Sequence, residues 1–374
     1  PIRIGVSTQA DNISRTLVEY CYFTQCNGDG ELISSKARQN VYRFNTFESN
    51  PKAELVLRHG SEAVVYGNFF LNGKGGVRVR EGQDHYIYNN YFYEIDDRAI
   101  YLQNEDSDPL DNINIGFNTI VNCSEIILGG SGNDKPTNVT FANNIFSQPD
   151  DQLFEDPTGT ETWIGNIAFG QLGISQPSSG MTVVDPQMSK NNEGFYGLTA
   201  NSPAVNSAES GYSLIPQFDG MDDVDTDISF DLMKQNRPTV IAEKDLGCNE
   251  FPHTSLIKPW VTEENTGPSY NTSTATSATK YQVENNDLFI ISPNPVNDLL
   301  KLTFRSSDKI KAHLDIFNTD GRKVDSLNET SISEELSITR NVEYLSPGVY
   351  IIRVTYHTIN SSVKKIYSEK FIKL

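Results

Sequence analysis

"YRFNTF" (42–47), "VYGNFF" (65–70) and "YNNYF" (88–92) each centre a short apolar run on an asparagine: Asn45, Asn68 and Asn90. The series continues with "GFNTI" (116–120), "ANNIF" (142–146) and "IGNIAF" (164–169), which add Asn118, Asn144 and Asn166. Successive asparagines are 23, 22, 28, 26 and 22 residues apart. One step earlier, "VEYCYF" (18–23) puts Cys21 in the same register. Between these runs lies a second series: "ELI" (31–33), "LVL" (55–57), "VRV" (77–79), "IYL" (100–102) and "IIL" (126–128). Two or three short strands in a period of twenty-odd residues predict an all-β fold, a right-handed parallel β-helix. The asparagines then stack as an inward ladder along its axis. Helical periodicity is nearly absent, and "DLMKQN" (231–236) is too short to matter.

Charge narrows the partners. The net charge of −19 argues against nucleic acid. Residues 1–100 hold 11 Lys+Arg against 12 Asp+Glu, while the remaining 274 hold 19 against 37. The amino-terminal part is therefore the place for an anionic ligand. No apolar run approaches the roughly 20 residues of a helical membrane span. Cys21, Cys26, Cys123 and Cys248 are too scattered for a disulfide framework or zinc site and are expected as buried thiols.

The period also aligns side chains. Residues one coil apart lie about 4.8 Å apart along the axis. Lys36 follows Cys21 by 15 residues, and Arg58 follows Asn45 by 13. Arg78 and Arg80 follow Asn68 by 10 and 12. A stripe of cations is expected across adjacent coils, with His59 beside it. Upstream of Lys36, Asp29 and Glu31 flank Gly30 and share a strand face. Paired hard oxygens of this kind suit calcium. Lys74 and Arg98 read as ordinary solvated cations.

These stretches carry a resemblance. "CNGDGELISSKARQNVYRFNTF" (26–47), "LVLRHGSEAVVYGNFFLNGKGGVRVREGQDHYIYNNYF" (55–92), "NINIGFNTIVN" (112–122) and "VTFANNIF" (139–146) resemble polysaccharide lyase family 6, the alginate lyases and chondroitinase B. "NSPAVNSAE" (201–209) and "DLGCNEF" (245–251) resemble the closure of that family's β-helix. The likeness covers residues 1–252. It implies β-elimination on a uronate polysaccharide. A cation neutralises the substrate carboxylate, a lysine removes the C5 proton and an arginine serves the O4 leaving group. Residue by residue, it implies Lys36 as base and Arg58 as acid or charge stabiliser. His59, Arg78, Arg80 and His85 are implied as substrate-binding groups, and Asp29 and Glu31 as ligands of a Ca2+ cofactor. Two departures stand out. Asp29 replaces the family's usual glutamate, and the family's third calcium ligand, an asparagine on an earlier coil, would fall before Pro1. The chain is thus expected to be a fragment that lacks the family's amino-terminal coils.

Residues 253–286 are expected to be a linker, because "PHTSLIKPWVTEENTGPSYNTSTATSATKYQVENN" (252–286) is rich in Ser, Thr, Asn and Pro. Beyond it, "LFIISPNPVNDLLKLTF" (288–304), "AHLDIFNTDGRKV" (312–324), "LSPGVYIIRVTY" (345–356) and "EKFIKL" (369–374) alternate as strands of a small β-sandwich over 287–374. With its Ser-Pro-Asn-Pro opening, Asp320-Gly321 turn and terminal Lys-Phe, this part resembles the sorting domain of the type IX (Por) secretion system. That implies a secreted or surface protein of a Bacteroidetes bacterium, with the type IX machinery and alginate as partners. Three function classes stay open: alginate lyase, lyase of dermatan or a related sulfated glycan, and non-catalytic glycan-binding β-helix.

Overall fold

The computed structural model describes residues 2–104, 109–130, 134–221, 223–267, 289–318, 322–358 and 365–374. The chain divides into two compact units, Pro1–Asn271 and Thr272–Leu374.

The first unit is the predicted parallel β-helix. Its first sheet runs Ile2–Ile4, Glu31–Ser35, Glu54–Leu57, Gly75–Val79, Arg98–Leu102, Ile126–Ile127 and Phe154–Glu155. Its second runs Leu17–Glu19, Val41–Arg43, Val64–Tyr66, Gly82–Tyr88, Leu110–Gly116, Thr137–Ala142 and Thr162–Ile164. The third stacks eight strands, from Tyr22–Thr24 to Met181–Val183. Pairing is parallel within these three sheets, so each coil contributes one strand to each face.

The Asn ladder holds one corner. Asn45 Nδ2 donates to Asn68 Oδ1, Asn68 to Asn90 and Asn90 to Asn118, each at 3.0 Å. Asn118 donates to Asn144 at 3.0 Å and Asn144 to Asn166 at 2.9 Å. All six are buried. Cys21 joins through its backbone N–H, which donates to Asn45 Oδ1 at 3.0 Å. The residue before each rung is left-handed: Phe44, Gly67, Asn89, Phe117, Asn143 and Gly165 all have φ between 51° and 67°. That conformation turns the chain sharply enough to aim the next side chain inward. At Gly67 any Cβ would also sit 2.7 Å from the Phe44 ring.

Inside, like stacks on like. Ile33, Leu55, Val77 and Ile100 pair in register, as do Ser35, Leu57, Val79 and Leu102. Phe23, Phe47, Phe70 and Phe92 stack face to face at 4.9, 4.7 and 4.7 Å. Because strand alternation sends every second residue inward, the residues between them face out. That outward set includes the cation stripe.

The coils end at Met181–Val183. Residues beyond them, within the 1–252 expected for the β-helix domain and including the stretches expected to close it, cover the outside of the helix. Ala204, Ile215, Phe218 and Leu246 pack with Val41, Val64, Tyr88 and Phe117. Arg237, buried, ties this cover down by donating to Asn89 Oδ1 at 2.8 Å and pairing with Glu250. Residues 253–267, expected as linker, belong to the cover as well. Ile257 is buried, and Trp260 Nε1 donates to the Leu232 carbonyl at 3.1 Å. The rest of the expected linker, 268–286, lies outside the described residues. The thiols are free, but only Cys123 and Cys248 are fully buried; Cys21 and Cys26 are half-buried.

The described strands of the second unit pair antiparallel, with one isolated parallel bridge between Val296 and Lys373. Leu299–Asn318 pairs along its length with Lys323–Asn341, and Phe289–Ser292, Gly348–Thr358 and Lys365–Lys373 complete five strands. Register shifts between Ser306 and Ile310 and between Ala312 and Leu314 divide the long strand. Leu300, Leu302 and Phe304 on one side of them share a core with Ile316, Ile352 and Val354 on the other, so the coiled sheet closes over its own inner face. The turn expected at Asp320-Gly321 lies outside the described residues.

Candidate active site

Four residues that each follow a strand of the first sheet form a column. Backbone N–H groups of Lys36, Arg58, Arg80 and Gln103 donate to the carbonyls of Ile4, Ser35, Leu57 and Val79 at 2.7–2.9 Å. The side chains therefore recur at the same place on successive coils, about 4.8 Å apart. Arg78 sits two residues before Arg80, on the same face. The turn after the column is tight. His59 is left-handed at φ 63°, and a Cβ on Gly60 would come within 2.3 Å of the Ala37 carbonyl oxygen.

Lys36 is 9% exposed and Nζ donates to Ser7 Oγ at 3.3 Å. Its pKa is pushed below the usual lysine value, first by burial and then by Arg58, with Arg3 adding to the effect and Glu31 and Glu81 opposing it. Arg58 Nη1 donates to Glu31 Oε1 at 2.6 Å. Burial alone would raise the Glu31 pKa, but hydrogen bonds from Ser34 and Arg58 and the charges of Arg58 and Lys36 outweigh it and hold the carboxyl low. Arg78 lies over the Tyr101 ring at 5.3 Å and donates to Gln103 Oε1. One corner thus gathers the base candidate, the acid candidate and two further arginines.

Three expectations change. His85 lies under the surface at 0% exposure. Its Nδ1 accepts from Ala63 N–H at 3.2 Å, and burial depresses its pKa to about 4. It is a neutral strut between coils and has no face for substrate. Arg98 is no solvated cation: Nε donates to Glu54 Oε1 at 2.8 Å and the guanidinium covers Tyr101 at 4.5 Å. Asp29 is exposed, and its Oδ1 accepts from the Gly30 N–H at 2.7 Å. Asp29 and a Glu31 already engaged by Arg58 fall short of the six to eight oxygens calcium takes. Among the described residues no three His, Cys, Asp or Glu side chains gather where they could hold a metal. The residues present do not by themselves fit the ion.

One residue was missed. Glu81, fully buried, places Oε2 2.6 Å from His59 Nδ1 and Oε1 3.7 Å from Arg80 Nε. The signal was available. Glu81 follows Arg80 as His59 follows Arg58, so the coil period that aligns the arginines also aligns this pair.

Comparison with known proteins bears on this corner. Residues 1–124 match the family model described as chondroitinase B, a span that contains the whole column. The match covers the first coils, about a third of the chain. Residues 291–369 match the family model described as secretion system C-terminal sorting domain, so the coils are followed by an address for type IX export. Solved structures similar to the chain include a point mutant of the PL6 family alginate lyase AlyGC, at 26% identity over 58% of this chain and 34% of that one, TM-score 0.47. Another is a mannuronic acid specific polysaccharide family 6 lyase from human gut microbiota, at 30% over 46% and 43%, TM-score 0.41. A complex structure of the alginate lyase AlyF-OU02 aligns at 19% over 54% and 51%, TM-score 0.42. The chain spans about a third to a half of the length of these structures. No curated protein matches the sequence.

Proposed function

We propose that the chain is a polysaccharide lyase that cleaves alginate by β-elimination at the Lys36–Arg58 corner, exported by a Bacteroidetes bacterium. The observation that supports it most is a desolvated lysine whose charge is suppressed by an arginine on the next coil, inside a chondroitinase B-type domain.

The chemistry follows from that pair. The C5 proton of a uronate becomes removable once the adjacent carboxylate is neutralised. Arg80, next in the column, and Arg78 beside it offer that charge. Lys36, as the neutral amine, takes the C5 proton and becomes an ammonium. The electron pair left on C5 forms the C4–C5 double bond, and the C4–O4 bond breaks. Arg58 stabilises the departing O4 as an alkoxide, since a guanidinium is a reluctant acid; O4 is protonated by solvent water, and the hydroxide formed takes the proton back from the Lys36 ammonium, which restores the neutral amine. Glu31 holds Arg58 in place, and His59 orients the sugar. Cations on consecutive coils suit a polymer with a carboxylate on every residue, which favours alginate.

A second reading has its own support. The matched family model is that of chondroitinase B, so a sulfated galactosaminoglycan is the rival substrate. The test is the rise in ultraviolet absorbance from unsaturated uronate when the chain is mixed with alginate or with dermatan sulfate. A rise on alginate alone supports the proposal. A rise on dermatan sulfate alone replaces the substrate, and none on either removes the lyase reading.

A further inference from the structure

We propose that Glu81 is a positioning residue that fixes the His59 imidazole for the glycan. The proposal rests on the reading of His59 as the group that orients the sugar.

Glu81 is 0% exposed, whereas the His59 side chain keeps 13% of its surface. The imidazole therefore stands between a dry carboxylate and the open face. Oε2 lies 2.6 Å from Nδ1, close enough for an Nδ1–H to be shared with the carboxylate, and the proposal takes Nδ1 as that donor. With Nδ1 committed, any contact with the glycan falls to Nε2. The bond sets the tautomer as well as the ring orientation, because a donor at Nδ1 leaves Nε2 as acceptor in the neutral ring. His59 is left-handed at φ 63°, at the tip of a turn.

Energetics point the same way. Removing a carboxylate from water costs several kcal/mol unless it is well paired, and an apolar residue of similar size would fill the space at lower cost. Arg80 at 3.7 Å offsets part of that penalty. It also lets one carboxylate orient two groups on the substrate face, His59 from the coil before and Arg80 beside it. A purely structural ion pair would need no partner that reaches the surface.

The test uses the full chain labelled with 15N-histidine, with His59→Ala to assign the His59 ring nitrogens. The proposal expects the neutral His59 ring to carry its proton on Nδ1, and Glu81→Ala to move it towards Nε2. On alginate, Glu81→Ala should lower kcat about 10–100-fold with KM within about threefold, as loss of an outer orienting group does. Glu81→Gln, which keeps an acceptor oxygen for Nδ1–H, should recover most of that loss. In a His59→Ala background, Glu81→Ala should cost less than about twofold more. A wild-type His59 protonated on Nε2 would overturn the proposal. So would a Glu81→Ala loss of equal size with and without His59. The wild-type spectrum depends on no Glu81 variant folding. If the wild type is inactive on every uronate polymer, the lyase reading fails, and the nitrogen spectrum alone upholds or overturns the Glu81–His59 bond.

Discussion

Acid should weaken the β-helix through His85, and His85→Asn should remove that weakness. Burial lowers the His85 pKa from 6.5 to about 4 in the folded chain. Between those values the unfolded chain binds a proton that the folded chain refuses, so stability falls as pH falls. A gap of about 2.5 units at 1.36 kcal/mol per unit corresponds to about 3 kcal/mol once pH is well below 4, and to about 2.5 kcal/mol at pH 4.5. Buried carboxyls act in the opposite sense. Asp231, Asp245 and Glu250 have raised pKa values because burial disfavours their charge, so they lose stability as pH rises. The difference between wild type and variant isolates the histidine. Asparagine keeps an acceptor for the Ala63 N–H that His85 Nδ1 now satisfies. Urea unfolding followed by tryptophan fluorescence reports the first unit alone, since Trp163 and Trp260 both lie in Pro1–Asn271. At pH 7 the variant should be the less stable, because it leaves a smaller side chain in a packed site. At pH 4.5 that gap should close by about 2.5 kcal/mol. A gap that is the same at both pH values would show that His85 is not held neutral by burial.

Three further outcomes follow from the same geometry. Asn90→Ala removes a buried side chain that donates to Val65 O, Tyr88 O and Asn118 Oδ1 and accepts from Asn68, so it should cost about 4 kcal/mol in the same assay; a loss below about 1 kcal/mol would deny the ladder its role. A lysine base works as the free amine and Lys36 has a lowered pKa, so turnover should climb with pH through a midpoint below 10.5, and Glu31→Gln should move it lower by removing a charge that supports the ammonium; a midpoint that moves upward would contradict the electrostatics. Calcium titrated into the chain by calorimetry should show no site with Kd below about 10 μM, because sites of that strength use more oxygens than Asp29 and Glu31 supply; tight binding abolished by Glu31→Gln would reverse the fit judgement.

What was legible in the sequence was what repeats. The Asn rungs and the Lys36–Arg58–Arg80 column could be placed because a coil period carries every side chain to a predictable neighbour. Arg98 and His85 could not be placed the same way. Their burial depends on partners 44 residues away in one case and 22 in the other, Glu54 and Ala63, and on which strand face looks inward. The cover over 184–267 has no period, and its last part, 253–267, has a linker's composition even though Ile257 and Trp260 pack against the coils. Glu81 was missed for a different reason: a buried acid beside Arg80 looks like any surface charge until the coil register brings it to His59.

The central claim is that Lys36 is the base of a β-elimination. Its most direct test is the initial rate of unsaturated uronate formation on alginate by Lys36→Ala and wild type, alongside their affinity for the polymer. The account predicts a fall of at least about a thousandfold in rate, with binding retained to within severalfold. A variant that keeps more than a tenth of the wild-type rate would contradict it.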